Sequence, residues 1–288
     1  MNEAILSMIA PYSCQTPEEY ANALKEIIQE CVLLALWRCR FFEHAAFYGG
    51  TSLRILYGLN RFSEDLDFSL LKADPLFKLE SYYKGIETEL CPFGFEMEIT
   101  GIRKSFETPV QSAFVKANTK INFMRIGVPL SIQRRCHLEE TLKIKFEIDT
   151  DPPLGFNTEE RPLLNPIPFM VRSYTLPDLF AGKIHAILYR NWKSRIKGRD
   201  WYDLLWYLAR KTPVHLAHLQ ARMEQSEGVT RPTPLTLAEL KQLLMTKISI
   251  IDLEQAKSDV LPFVKDPRAV DGWSHQLFTT AIDLLSER

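Results

Sequence analysis

Two acidic residues one position apart, Asp65 and Asp67, follow the segment Gly49-Gly50-Thr51-Ser52, with thirteen residues between Thr51 and Asp65. On a strand, alternate residues project to one side. Both carboxylates are therefore expected to share a face, while Leu66 and Phe68 point to the other. Carboxylates held side by side repel one another, and a divalent cation relieves that repulsion. Magnesium takes one or two carboxylates together with substrate phosphates. Upstream, two glycines let the backbone turn tightly and approach a ligand closely. Thr51 and Ser52 then open a helix whose unpaired amides and dipole favour an anion such as phosphate. Arg61 and Ser63 stand just ahead of the acidic pair. A metal site beside a phosphate cradle is what phosphoryl or nucleotidyl transfer requires. Taken singly, Gly-Gly-Thr also reads as a plain turn with a threonine cap, and Asp-x-Asp as a solvated strand face. Their joint occurrence at this spacing is what points to chemistry.

The same stretch resembles a known family. Gly49-Gly50-Thr51, Leu53-Arg54 and Arg61-Phe62-Ser63-Glu64-Asp65-Leu66-Asp67-Phe68 are similar to the first motif of the AbiEii/AbiGii-type (MenT-like) nucleotidyltransferase toxins. These are a branch of the DNA polymerase β-like superfamily. The run Leu176-Pro177-Asp178-Leu179-Phe180-Ala181-Gly182-Lys183-Ile184-His185 resembles the family's lysine-bearing helix. Gly198-Arg199-Asp200-Trp201-Tyr202-Asp203-Leu204 resembles its Arg-Asp-x-x-Asp-Leu element. The resemblance touches roughly residues 45 to 210. It implies that Asp65 and Asp67 hold magnesium, with manganese as the substitute ion. It also implies that Gly49, Gly50, Thr51, Ser52, Arg61 and Ser63 bind the nucleoside triphosphate. Lys183 would neutralise phosphate charge as pyrophosphate departs, a role suited to a compact ammonium. Asp200 or Asp203, three apart on one helix face, would complete the site. A third carboxylate of the superfamily comes from a neighbouring strand. Glu147 is the first candidate for it and Asp149 the second, as ligand or general base. The resemblance further implies a toxin of a bacterial toxin–antitoxin or abortive-infection system with a cognate antitoxin. RNA is the implied acceptor, above all the 3′ end of tRNA.

Other groups in the sequence also bear on chemistry. Arg190, Lys193, Arg195, Lys197 and Arg199, interleaved with Trp192, Trp201 and Tyr202, form the most basic stretch. Such a mixture can grip phosphates and stack bases, and equally reads as a solvated connecting loop. The six histidines show no metal-ligand spacing. A Gly-x-Ser-x-Gly hydrolase elbow is missing from the sequence.

These residues need positioning elements. Thr16-Pro17-Glu18-Glu19 is a helix start, and Leu24, Ile27, Ile28, Cys31 and Leu34 are spaced to bury one face of a helix running to about Arg40. A short helix is expected over Ser52–Leu59, and strands over Asp65–Leu70, Phe95–Ile102 and Ile121–Leu130. Thr141–Asp149 alternates with period two, which places Lys143, Lys145, Glu147 and Asp149 on one face. A proline-rich link follows, then a strand from Pro168 to Tyr174. Helices are expected at Asp178–Tyr189, Gly198–Lys211, Thr236–Ile250 and Gln276–Ser286, with breaks at Lys197-Gly198 and around Pro232.

The composition is that of a globular chain: 288 residues, 46% hydrophobic and 25% charged. A net charge of −1 advertises no global attraction to nucleic acid, so any such surface must be a local patch. Five cysteines without a Cys-x-x-Cys pair suit reduced thiols in a cytoplasm. The amino terminus lacks a basic secretory start, and the apolar run Cys31–Trp37 falls far short of a membrane span, so no membrane association is expected.

The expectation is an α+β polymerase β-like core, a short mixed sheet flanked by helices, over residues 1–175. A helical domain over 176–288 is expected to complete the active-site cleft. The expected activity is magnesium-dependent transfer of a nucleoside monophosphate from a triphosphate to RNA. Two alternatives share the motif. One is a degenerate module that binds nucleotide or RNA without chemistry; the other is a transferase that modifies a protein hydroxyl.

Overall fold

A computed structural model describes residues 3–95, 97–102, 109–119, 121–122, 128–135, 141–153, 155–190 and 196–288. After α1 (Glu3–Ile9), helix α2 (Pro17–Arg38) begins where Thr16 and Glu19 cap each other's backbone amides and Pro17 occupies the first turn. This capping box satisfies donors that the helix start would otherwise leave open. The helix ends two residues short of the expected Arg40.

The chain folds as two compact units. The first comprises Met1–Tyr57, Phe62–Pro152 and Glu160–Ser173; the second comprises Gly58–Arg61, Pro153–Glu159 and Tyr174–Arg288.

In the first unit β1 (Ala45–Tyr48) runs into α3 (Gly49–Tyr57), and β2 (Leu66–Leu70) returns antiparallel to β1. Helix α4 (Tyr83–Leu90) precedes β3 (Met97–Ile102) and β4 (Val110–Asn118). A short α5 (Leu130–Gln133) precedes β5 (Thr141–Asp149), and β6 (Thr158–Leu163) and β7 (Phe169–Tyr174) follow. The seven strands form one mixed sheet in the order β3-β4-β5-β2-β1-β7-β6. Strands β2 and β5 are parallel, as are β1 and β7, while β3–β4 and β4–β5 are antiparallel. The mixed α+β class is thus as expected, with a larger sheet.

Two expectations fail locally. Of the strand expected over 121–130, residues 123–127 lie outside the described residues; a strand that was not expected lies at Val110–Asn118, where it pairs along its whole length with β5. Ile121 and Asn122 are helical, and Leu130 opens α5. Cross-strand pairing on both sides, rather than local apolar content, makes Val110–Asn118 a strand. The proline-rich link also contains a strand, β6, which lies at the sheet edge. An edge strand tolerates Pro162 because part of its backbone needs no ladder partner.

The core of this unit is aromatic. Phe68 meets Phe41 and Phe146 edge-on, each at 5.0 Å between ring centroids, and Phe47 at 5.1 Å. Helix α2 lies against this core and buries Leu24, Ile27, Ile28, Cys31 and Leu34.

The second unit is helical: α6 (Leu176–Tyr189), α7 (Gly198–Ala209), α8 (Leu216–Glu227), α9 (Leu237–Ile250), α10 (Leu253–Val260) and α11 (His275–Ile282). Phe180 stacks on Tyr207 at 4.4 Å, and Trp201 meets Phe278 edge-on at 5.4 Å. Gly198 starts α7 against α10, where a β-carbon would collide with the carbonyl of Ala256. The glycine read as a break thus opens α7, and it also permits a close helix contact. No helix among the described residues is long and apolar enough to cross a membrane.

Candidate active site

The acidic pair is aimed by its neighbours. Leu66 and Phe68 are both fully buried, and this fixes the register of β2. Moving either into water would cost roughly 1.5–3 kcal/mol. Asp65, just before the strand, and Asp67, within it, therefore face the other side and remain partly exposed.

The glycine turn and this pair meet. Gly49 sits at φ +84°, a conformation that favours glycine, and a β-carbon there would lie 2.5 Å from Asp67 Oδ2. The carboxylate thus rests on the α-carbon at the start of α3. Thr51 donates its hydroxyl to the carbonyl of Asp65, and Ser52 Oγ donates to the carbonyl of Gly49 at 3.0 Å. The Thr51 hydroxyl thus ties the turn to the segment entering β2 and the Ser52 hydroxyl closes the turn on itself, leaving the first-turn amides of α3 as the anion donors.

Glu147 is the Cα partner of Asp67 across the parallel β2–β5 pair, about 4.8 Å away by ordinary strand spacing. It accepts from Ser112 Oγ at 2.8 Å and pairs with Lys145 at 2.8 Å. Asp149 stands one step further, opposite Ser69, and its Oδ1 accepts the Asp151 amide at 3.0 Å. Hard carboxylate oxygens on one face beside an amide cradle fit a hard cation shared with phosphates. Among the described residues no three His, Cys, Asp or Glu side chains form a complete ion cage. Two adjacent aspartates supply the one or two carboxylates that magnesium takes alongside substrate phosphates.

The second unit holds a charged cluster of its own. Lys183 Nζ, on α6, lies 2.7 Å from Asp200 Oδ1 and 2.8 Å from Asp203 Oδ2, both on α7. Arg61 grips Asp203 with two parallel bonds, Nε to Oδ1 at 2.7 Å and Nη2 to Oδ2 at 2.6 Å. Both members of that pair are buried. Burial works against the charge of Arg61, but Asp203 more than restores it and raises its pKa above the ordinary guanidinium value. Arg190 reaches Asp200 Oδ2 at 3.1 Å. Burial alone would raise the Asp200 pKa; Lys183 and then Arg190 override it and hold it down at about 2. Asp203 is the inner anchor, and Asp200 the outer one.

Of the residues singled out in the sequence, Gly49, Gly50, Thr51, Ser52, Ser63, Asp65, Asp67 and Glu147 lie in the first unit. Lys183, Asp200 and Asp203 lie in the second, together with Arg61, whose guanidinium is engaged with Asp203. Within the basic stretch, residues 191–195, which include Lys193, Arg195 and Trp192, lie outside the described residues, as does Cys136. Two arrangements escaped the sequence reading. Arg61 and Asp203 are 142 positions apart, and no spacing rule joins them. Glu26 on α2 holds Arg54 of α3 at 2.8 Å; the polar run Lys25-Glu26 and Gln29-Glu30 inside an otherwise apolar helix was the available signal.

The family model described as "Nucleotidyl transferase AbiEii toxin, Type IV TA system" matches residues 31–278. The chain belongs to the AbiEii family. It is accordingly a nucleotidyltransferase of the toxin type, with a nucleoside triphosphate as substrate and an antitoxin as partner. Among solved structures it is similar to a protein from H. pylori titled as a nucleotidyltransferase. That likeness has 18% identity and a TM-score of 0.49 over 88% of each chain. It is also similar to JHP933 from Helicobacter pylori, at 18% identity and a TM-score of 0.47, covering 91% of this chain and 88% of that one. No curated protein matches the chain.

Proposed function

We propose that this AbiEii protein transfers a nucleoside monophosphate from a nucleoside triphosphate to the 3′ end of a tRNA, with magnesium, and so stops translation in the cytoplasm. The observation that carries the reading is the seating of the Asp67 carboxylate on Gly49, which joins the acidic pair to the amide cradle of α3. Asp65 and Asp67 would hold the ion, which when bound would supply charge neutralisation at the phosphates.

The chain's own groups supply the rest. The amides of Gly50, Thr51 and Ser52, with Ser63, orient the triphosphate. The acceptor hydroxyl oxygen attacks the α-phosphorus, and the bond to pyrophosphate breaks. Of the two candidates for a third carboxylate, we assign Glu147, because it stands beside Asp67 in the register. Its role is as ligand or as the base that takes the hydroxyl proton. Lys183 would neutralise the departing pyrophosphate. Its ammonium is pinned between Asp200 and Asp203, which gives it a fixed position within its own unit.

The test uses purified protein, total tRNA and each of four α-labelled nucleoside triphosphates. Label is expected in tRNA with the native protein and none with Asp65→Ala. Transfer with no nucleotide would overturn the proposal. Label on a co-purified antitoxin instead of tRNA would move the acceptor to a protein hydroxyl.

A further inference from the structure

Helix α2 turns two polar residues, Lys25 and Gln29, toward the loop leading into Asp65. Gln29 is fully buried. Its Nε2 donates to two successive carbonyls, Ser63 at 3.1 Å and Glu64 at 3.0 Å. Because both partners are carbonyls, the amide nitrogen must be the group that faces them. Its Oε1 is buried and finds no hydrogen-bond partner among the described residues. An apolar residue would avoid that unmet acceptor, so the buried amide is a cost that packing alone does not explain.

The neighbouring contacts act on the same loop. One helical turn earlier, Lys25 Nζ reaches Glu64 Oε1 at 3.2 Å. Phe62 stacks with Tyr12 at 6.5 Å and lies beneath the Arg54 guanidinium at 5.1 Å. Arg54 is held in turn by Glu26, which also accepts from the Tyr12 hydroxyl at 2.7 Å. Thr51 then takes the carbonyl of Asp65. From Phe62 to Asp65, every residue has its backbone or side chain held, and Gln29 holds the carbonyls of both Ser63 and Glu64.

We propose that Gln29 is a positioning residue: it fixes the turn of the chain through Ser63 and Glu64, and thereby the direction in which the Asp65 carboxylate is presented to a divalent ion. The proposal rests on the reading of Asp65 and Asp67 as the ion-holding pair. Gln29 touches neither ion nor nucleotide. Its action is that of an outer support, whose loss in metal sites typically weakens ion binding about 10- to 100-fold.

The test measures binding of Mn2+ alone to the full chain by electron paramagnetic resonance, alongside melting curves. Native protein is compared with Gln29→Met, Gln29→Glu and Asp65→Ala. Gln29→Met keeps the volume and loses both donors. Gln29→Glu keeps the shape and, when ionised, cannot donate, so it stands in should the first variant fold poorly. Both are expected to weaken Mn2+ binding by about tenfold or more and to raise the Mn2+ needed for half-maximal transfer, with transfer recovering at saturating Mn2+. Native Mn2+ affinity in both variants, with only the melting temperature lowered, would reduce Gln29 to a packing role and overturn the proposal. If Asp65→Ala binds Mn2+ like the native protein, the ion-pair reading itself falls, and this proposal with it. A loss in Asp65→Ala with native affinity in both Gln29 variants sinks the Gln29 proposal alone.

Discussion

Replacing Gly49 with alanine probes the meeting of turn and carboxylate directly. Two costs add. The backbone at φ +84° lies in the left-handed region, where an L residue pays about 1–2 kcal/mol. The new β-carbon would also stand 2.5 Å from Asp67 Oδ2 and 3.2 Å from Asp67 Cβ and Cγ. A short side chain on a fixed strand can yield only by leaving its rotamer, at about 0.5–1.5 kcal/mol. The sum is a destabilisation of about 1.5–3.5 kcal/mol by urea denaturation. Displacing the carboxylate by about 1 Å should also lower transfer on the order of 100-fold. The steric part belongs to the pair. In an Asp67→Ala background the 2.5 Å clash with the carboxylate is gone and the same Gly49→Ala change should cost little beyond the backbone term, leaving a coupling of about 1 kcal/mol. Additive stability effects, with near-native transfer by Gly49→Ala, would refute the close approach.

Glu30 on α2 is pushed up to about 8, first by burial and then by the charge of Glu26, against the pull of Arg54. Between its ordinary value and 8 the folded protein keeps a proton that the unfolded chain has released, so stability falls as pH rises through that window. At about 1.36 kcal/mol per pH unit the loss is at most about 5 kcal/mol. Glu30→Gln should flatten the slope and exceed native stability at alkaline pH; an unchanged urea-midpoint profile would contradict this. Arg61→Met leaves the buried Asp203 with Lys183 as its counter-charge among the described residues and should cost about 3 kcal/mol in urea unfolding, while Arg61→Met with Asp203→Leu should recover most of it. Equal losses in the single and double variants would show that the pair does not act as a unit.

The elements that carry the candidate site were legible because their rules are short-range. Gly49-Gly50, the alternation around Leu66 and Phe68, and the Thr16–Glu19 cap each depend on residues within a few positions, and the structure forms each element there. Strand β4 was not legible, because Val110–Asn118 owes its state to β3 and β5 on either side, while the more apolar residues after it looked the better strand. Strand β6 was hidden by Glu159, Glu160, Arg161 and Pro162, residues that only a sheet edge accepts. The Arg61–Asp203 bond spans two distant segments and leaves no trace in local spacing. The same holds for Gln29, which in the sequence is one polar residue within an amphipathic helix.

The central claim is that Asp65 and Asp67 gather a divalent ion against the triphosphate cradled by the turn at Gly49. Crystals grown with Mn2+ and a non-hydrolysable nucleoside triphosphate test it by anomalous scattering. The account predicts an ion peak bonded to both aspartates, with the triphosphate over the amides of Gly50 to Ser52. An ion and nucleotide bound away from these residues, with both carboxylates unengaged, would contradict it.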